Sequence, residues 1–167
     1  MKLWFPGSSV WRIGGDRGNI EKHQLDKGVE VIGMGRSEQL RVVLYSFGFK
    51  YGVPVDVNMV WDVRFLPNPY WVRELRARTG KVREVAQYVL QSDAGMSFFI
   101  HLEPLLRFLV EQNSNAGKKT IRIAVGCTGG RHRSVAVTEK ISSFLSECPV
   151  ELTVFHRDIE RDGGMSG

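Results

Sequence analysis

The run TIRIAVGCTGGRHRSVAVTEKISSFL, residues 120–145, passes from an apolar stretch through two adjacent glycines into a helix-like stretch. Thr120–Val125 is rich in β-branched residues and reads as a strand. Val135–Leu145 repeats apolar residues at helical spacing (Val135, Ala136, Ile141, Phe144, Leu145) and reads as a helix closed by Cys148–Pro149. Between them, GCTGGRHRS joins a strand end to a helix start. Gly129 and Gly130 allow positive φ and close approach of a ligand to the backbone. Consecutive N–H groups can then converge on one anion, assisted by the unpaired donors and positive dipole end of the helix that follows. Thr128 and Ser134 add hydroxyls, Arg133 can grip two oxyanion oxygens, and Arg131 and His132 raise the local potential.

Working outward, Leu40–Phe47 and Met59–Val63 read as strands, with a turn over Gly48–Pro54 between them. Leu66–Tyr70, with two prolines and an asparagine, reads as a loop. Lys81–Leu90 is expected to be helical on the face Val82, Val85, Ala86 and Val89. A second helix is expected from an Asp93 N-cap to about Gln112, with a kink or restart at Pro104. Glu151–Phe155 is the last strand. Apolar strands with helices between the later ones indicate an α/β fold, a mostly parallel sheet of four to five strands with helices on its faces. In such sheets ligands bind beyond the carboxyl ends of the strands. Ser46–Lys50, Asp62–Arg64, Cys127–Ser134 and His156–Asp158 should all gather there.

The chain has 167 residues, 43% of them hydrophobic and 25% charged, ordinary for one soluble domain. Residues 1–28 hold five glycines and no sustained periodicity and are expected to be a flexible segment, as is 161–167. The domain should span residues 29–160. No apolar run is long enough to span a bilayer, and the start lacks a secretory leader's apolar core and cleavage site, so a cytoplasmic protein is expected. Two cysteines and four scattered histidines match neither a disulfide framework nor a metal site, and no cofactor is expected. Gly117-Lys118-Lys119-Thr120 lacks the earlier glycine of a Walker phosphate loop, Gln112 standing in its place, and it precedes a strand. The net charge is +5, and Arg64–Arg83 alone nets +5. Its basic residues (Arg64, Arg73, Arg76, Arg78, Lys81, Arg83) favour an anionic partner. Phe65, Tyr70 and Trp71 could either stack on bases or anchor the stretch to the core.

Two readings of Cys127 stay open. Cys127, Gly130, Arg133 and Ser134 fit Cys-x-x-Gly-x-x-Arg-Ser and resemble the phosphate loop of cysteine-dependent phosphatases, with Cys127 as nucleophile and Asp62 as general acid. The residue before the cysteine, a histidine in protein tyrosine phosphatases, is Gly126 here. Alternatively, Cys127 is a small buried residue at a strand end.

SFGFKYG (46–52), WDVRFLPNPYW (61–71), GCTGGRHRSVAV (126–137) and HRD (156–158) together resemble the C-terminal domain of the RapZ family of RNase adapter proteins. The resemblance implies a non-catalytic sensor or adapter that binds an amino-sugar phosphate, glucosamine 6-phosphate in studied members. It implies that Thr128, Gly129, His132 and Arg133 hold the phosphate, and that Lys50, Asp62, Arg64 and Asn68 line the rest of the pocket. His156 and Arg157 could close it. The implied partners are a small RNA and an endoribonuclease, with homo-oligomers allowed. Full-length members carry an N-terminal P-loop nucleotide-binding domain, which is not read in this chain. RNA-binding members end in a Lys/Arg-rich tail, whereas residues 151–167 net −2 here. RNA contact would then fall to Arg73, Arg76, Arg78, Lys81 and Arg83. A module that binds only RNA, through the loop and this stretch, is the remaining alternative.

Overall fold

A computed structural model describes residues 39–161. Expectations for residues 1–38 and 162–167 lie outside these described residues. The elements are β1 (Arg41–Gly48), β2 (Met59–Asp62), α1 (Arg83–Leu90), α2 (Asp93–Asn115), β3 (Thr120–Cys127), α3 (Arg133–Leu145) and β4 (Glu151–His156). Short 3-10 turns cover Phe49–Tyr51 and Pro69–Trp71.

The strands form one sheet in the order β2-β3-β1-β4, with every neighbouring pair parallel. The register aligns their carboxyl ends. Gly48 lies opposite Cys127, Ser46 opposite His156, and Asp62 opposite Gly126. The four polar clusters expected at this edge are therefore brought to it.

Val42 and Leu44 of β1 share a face with Ile121, Ile123 and Val125 of β3, because parallel register puts even positions of one strand beside odd positions of the other. Val89 of α1, Leu102 and Leu106 of α2, and Ile141 and Leu145 of α3 pack into the same cluster. The three helices thus share one face of the sheet. Tyr45, Phe47 and Ala124 point to the other, where Phe49 and Val57 meet them and Phe155 stacks on Tyr45 at 4.7 Å.

Several boundaries differ from the sequence reading. The N-cap of α2 is Ser92, whose hydroxyl accepts from Gly95 N at 3.1 Å, and Asp93 serves as the first-turn acid. Helix α2 runs through Pro104 without restarting. Pro104 is exposed, and buried Phe99, Leu102, Leu106 and Val110 anchor both halves of the helix on one face. Helix α1 begins at Arg83, two residues later than expected. Gly80 is pressed against α3, where a Cβ would overlap His132 O and Ala136 N, so the chain is not yet free to coil. Strand β3 runs on to Cys127 and α3 starts at Arg133, leaving a turn of only residues 128–132.

The facing of α2 is directly testable. Leu106→Ala should lower unfolding free energy by about 2–5 kcal/mol, while Leu105→Ala, on the exposed side, should change it by about 0.5 kcal/mol or less. Urea unfolding of both variants measures the difference; equal losses would mean that α2 is rotated from this packing.

Candidate functional site

The turn after β3 is built on close backbone contact. A Cβ on Gly48 would lie 2.6 Å from Gly129 C and 2.9 Å from Gly130 N. Gly130 adopts φ +75°, and a Cβ there would lie 2.7 Å from Gly48 N. Glycine is thus required on both sides for β1 and the turn to meet main chain to main chain. Among the described residues, no hydrogen bond takes the main-chain N–H of Thr128, Gly129, Gly130, Arg131 or His132. The first N–H groups of α3 have no intrahelical acceptors either. The turn therefore presents a run of available donors at the positive end of a helix, the requirement for holding an oxyanion.

The three side chains that follow turn their donors onto protein carbonyls. Arg131 donates to Ala77 O at 2.8 Å and Ile159 O at 3.0 Å. His132 Nε2 meets Arg76 O at 2.9 Å. Since a carbonyl can only accept, Nε2 carries the hydrogen. Burial holds the His132 pKa below the usual histidine value, so the ring is neutral near pH 7 and Nδ1 is an acceptor. In this arrangement His132 braces the turn and offers no side-chain donor to an anion.

Arg133 is only 6% exposed. Its Nη1 donates to Arg64 O at 2.7 Å and Leu66 O at 3.3 Å, and its Nη2 to Thr128 Oγ1 at 3.3 Å. Its buried Nε has no partner. A guanidinium has five N–H donors, so Nε and the second Nη2 hydrogen remain for a ligand. Arg133 thus fixes the 64–66 backbone and leaves its buried Nε unpartnered.

The other expected residues are placed unevenly. Cys127, 3% exposed, lies with its Sγ 3.1 Å from the buried Ser134 Oγ. Val63 N donates to Gly126 O at 2.9 Å, which brings Asp62 and Arg64 beside the turn. Arg64 grips Asp62 through Nε (3.0 and 2.9 Å) and Nη2 (2.6 Å) and lies 4.2 Å over the Phe49 ring. These hydrogen bonds from the Arg64 side chain hold the Asp62 pKa below the usual aspartate value. Lys50 N donates to Thr128 O at 3.2 Å, while Lys50 Nζ sits 4.9 Å from the Tyr51 ring centre. Asn68 caps the Pro69–Trp71 turn, accepting from Tyr70 N at 3.4 Å.

Asp158 was grouped with this edge by sequence but assigned no role. It is completely buried. Its Oδ2 accepts from Gly48 N at 2.8 Å and from Arg157 Nε and Nη2 at 2.9 and 2.7 Å. Arg161 approaches Oδ1 at 3.1 Å as an ion pair, although Oδ1 has no hydrogen bond. Arg157 also donates to Gly52 O at 2.7 Å. Asp158 therefore ties the end of β4 to the end of β1, beside Gly130. The only sequence sign is an acid between arginines directly after a strand. Next to it, His156 bridges Ser46 Oγ (2.8 Å) and Glu139 Oε1 (2.7 Å), and burial lowers its pKa against the opposing pull of Glu139.

Arg73, Arg76, Arg78, Lys81 and Arg83 are all exposed. Arg76 donates to Tyr70 O at 2.9 Å and lies 4.9 Å over its ring. Arg78 pairs with Glu84 at 3.4 Å and Lys81 with Glu139 at 3.9 Å. Phe65 packs on Phe98, but Trp71 is 75% exposed and does not anchor the stretch.

Residues 40–160 match the family model described as the RapZ C-terminal domain. A nucleotide-binding protein of Caldicellulosiruptor saccharolyticus is 44% identical over 138 residues, covering 82% of this chain and 47% of its own length. One from a Nocardioides species is 45% identical over 148 residues (88% and 49%), and one from Streptomyces coelicolor is 43% identical over 148 residues (88% and 50%). The chain spans about half the length of the curated relatives it matches.

The buried imidazoles set a pH dependence. His132 and His156 are depressed in the folded state, so the unfolded chain binds their protons first as pH falls. Stability should therefore decline as pH drops below about 6.5 and level off, for these groups, below their folded values. Depression of Asp62 acts in the same direction in a lower window: its small contribution is present above about 3.9 and lost as pH falls through the folded value. Urea unfolding across pH should show the first decline, and His132→Gln with His156→Gln should flatten it. An unchanged slope in that double variant would contradict neutral buried rings.

Proposed function

The chain belongs to the RapZ C-terminal domain family, and from that premise we propose that it is a non-catalytic cytoplasmic sensor or adapter domain. It binds a phosphorylated small molecule, an amino-sugar phosphate such as glucosamine 6-phosphate, on the turn Thr128–Ser134, and reports this to RNA and an RNase partner. The observation that carries the reading is the row of available amides from Thr128 to His132, backed by the buried, unpartnered Nε of Arg133. The phosphate would sit on those amides with Thr128 Oγ1 and Arg133 Nε and Nη2. Lys50, Asp62, Arg64 and Asn68 would face the sugar, with Asp62 suited to an ammonium group.

The relatives are named nucleotide-binding proteins, which agrees with a phosphate-bearing ligand, and their chains are about twice as long. Among the described residues, no helix is long and apolar enough to cross a membrane.

A phosphatase reading has one supporting contact, Cys127 to Ser134. Its general acid is the difficulty. A proton donor must hold its proton at working pH, yet Asp62 is held ionised by Arg64 through two of its side-chain nitrogens. Retention of a phosphate ester suits this electrostatic arrangement better than its cleavage.

A thermal-shift series tests the reading. Glucosamine 6-phosphate at about one hundred times its Kd should stabilise the protein by about 2.7 kcal/mol. Arg133→Lys, which keeps the charge but loses the forked edge, should reduce that gain, and Cys127→Ser should retain it. No stabilisation by any sugar phosphate would sink the sensor reading. Hydrolysis of p-nitrophenyl phosphate that vanishes in Cys127→Ser would replace it with the enzyme.

A further inference from the structure

Arg157 and Asp158 follow directly on β4. Arg157 N donates to Ser46 O at 2.9 Å, which carries the pairing of β4 with β1 one residue further. The Arg157 side chain then reaches the chain that leaves β1. Its Nη2 donates to Gly52 O at 2.7 Å, with Gly48 O and Tyr51 O at 3.3 and 3.4 Å. Its Nε and Nη2 also donate to Asp158 Oδ2 at 2.9 and 2.7 Å. The fully buried Asp158 takes Gly48 N at 2.8 Å on that same oxygen. Its other oxygen pairs with Arg161 at 3.1 Å. Arg161 in turn lies 5.0 Å from the Tyr51 ring centre, which Lys50 Nζ approaches to 4.9 Å.

These contacts converge on the short turn Phe49–Tyr51 and its flanks. The turn is closed by Gly52 N donating to Phe49 O at 3.2 Å. Phe49 is anchored separately, against the Phe47 ring and under Arg64. Beyond it, Lys50 and Gly52 are exposed and Tyr51 is half-buried, so packing alone holds this half of the turn weakly. Gly52 leaves the turn at φ +91°, a region open to glycine at little cost, so steric limits at that residue do not fix the path either. Arg157 on the carbonyls and Arg161 on the Tyr51 ring supply what packing does not, and one carboxylate gathers both. The same turn touches the anion site, where Lys50 N donates to Thr128 O at 3.2 Å.

We propose that Arg157 and Asp158 are positioning residues for the ligand: together they set the Phe49–Gly52 turn, and with it Lys50, against the turn at 128–132. The inference rests on the sugar-phosphate reading above. The amides of residues 128–132 hold a phosphate on their own, whereas the part of the ligand beyond the phosphate meets the turn that carries Lys50. Arg157 therefore governs the preference for a sugar phosphate over inorganic phosphate more than it governs phosphate binding itself. A site loses affinity when the residues that support its contact groups are left loose. Arginine suits this place because its planar fork reaches a carboxylate and a carbonyl at once, a geometry that a lysine ammonium does not reproduce.

The test is titration calorimetry of glucosamine 6-phosphate and of inorganic phosphate into the wild-type protein, Arg157→Lys, Lys50→Ala and the double variant. Arg157→Lys should weaken the sugar phosphate by about fivefold, an ordinary coupling within one hydrogen-bonded network, and inorganic phosphate much less. Lys50→Ala should do the same, and combining the two should add little, because both act through one turn. If Arg157→Lys shows no cooperative urea unfolding, Arg157→Gln with Asp158→Asn, which removes both charges and keeps an acceptor for Gly48 N, gives the same readout. Equal losses for the two ligands, the mark of general loosening or of a direct hold on phosphate, overturn the positioning role. So do unchanged affinities in Arg157→Lys, or losses from Arg157→Lys and Lys50→Ala that simply add. Each of these leaves the sensor reading standing. A wild-type protein that binds neither ligand overturns the sensor reading and this inference with it.

Discussion

The contact between Gly48 and the Gly129–Gly130 backbone is the constraint on which the rest of this molecule depends. Two parallel neighbours, β1 and β3, end level with one another at Gly48 and Cys127. Both chains must turn away within the same small volume. A single Cβ at Gly48 or Gly130 would fall inside van der Waals contact with the other chain's backbone. Removing both side chains lets the turn settle against the strand end. Gly130 then takes its positive φ at little steric cost, and α3 can begin at Arg133.

Such closeness creates a problem of unsatisfied polar groups. Buried main-chain donors and acceptors are destabilising unless paired. The protein resolves this asymmetrically. Gly48 N is paired with the carboxylate of Asp158, itself compensated by Arg157 and Arg161. Carbonyls of the neighbouring stretch are satisfied by the side chains of residues 131–133. Among the described residues, no protein acceptor takes the amides of the turn itself. A buried carboxylate is expensive to desolvate, and removing one partner of such a pair is strongly destabilising. The Asp158 cluster is therefore structural: it holds the ends of β1 and β4 beside the turn between β3 and α3.

Much of this was legible in the sequence. Four apolar runs identified the strands, helical spacing identified all three helices, and the glycine pair with its following helix identified the turn. Boundaries were less legible where burial and apolarity part company. Arg133 and Ser134 are buried polar residues, so a hydrophobic pattern starts α3 two residues too late. The direction of side chains was not legible at all. Arg131 and His132 look like ligand groups because they are cationic or titratable beside a glycine pair, but their acceptors are carbonyls 28, 54 and 56 residues away in sequence. Asp158 was hidden for the same reason: its main-chain partner, Gly48, is 110 residues distant. Trp71 was ambiguous because an aromatic in a basic stretch can face inward or outward, and only packing decides between them.

The electrostatics of the turn also separate holding from cleaving. Retention of an anion needs fixed donors, and on the proposed reading these are the main-chain amides of the turn and the unpartnered Nε of Arg133. Cleavage needs, besides a nucleophile, a group that releases a proton to the leaving oxygen. The carboxylate next to the turn is Asp62, and its nearest cation is two residues away on the same segment. Such a short-range pair is set by the few backbone angles between its partners. Any ligand that freed Asp62 to carry a proton would have to draw Arg64 away, and the bound anion would then stand beside an acid that its own negative charge helps to keep protonated. That exchange is open to a phosphate ester in principle. Against it stands the fork from Arg64, which gains strength as solvent is excluded. A ligand over this site would thus meet Asp62 already paired with Arg64, and the proposed receptor reading rests on that pairing.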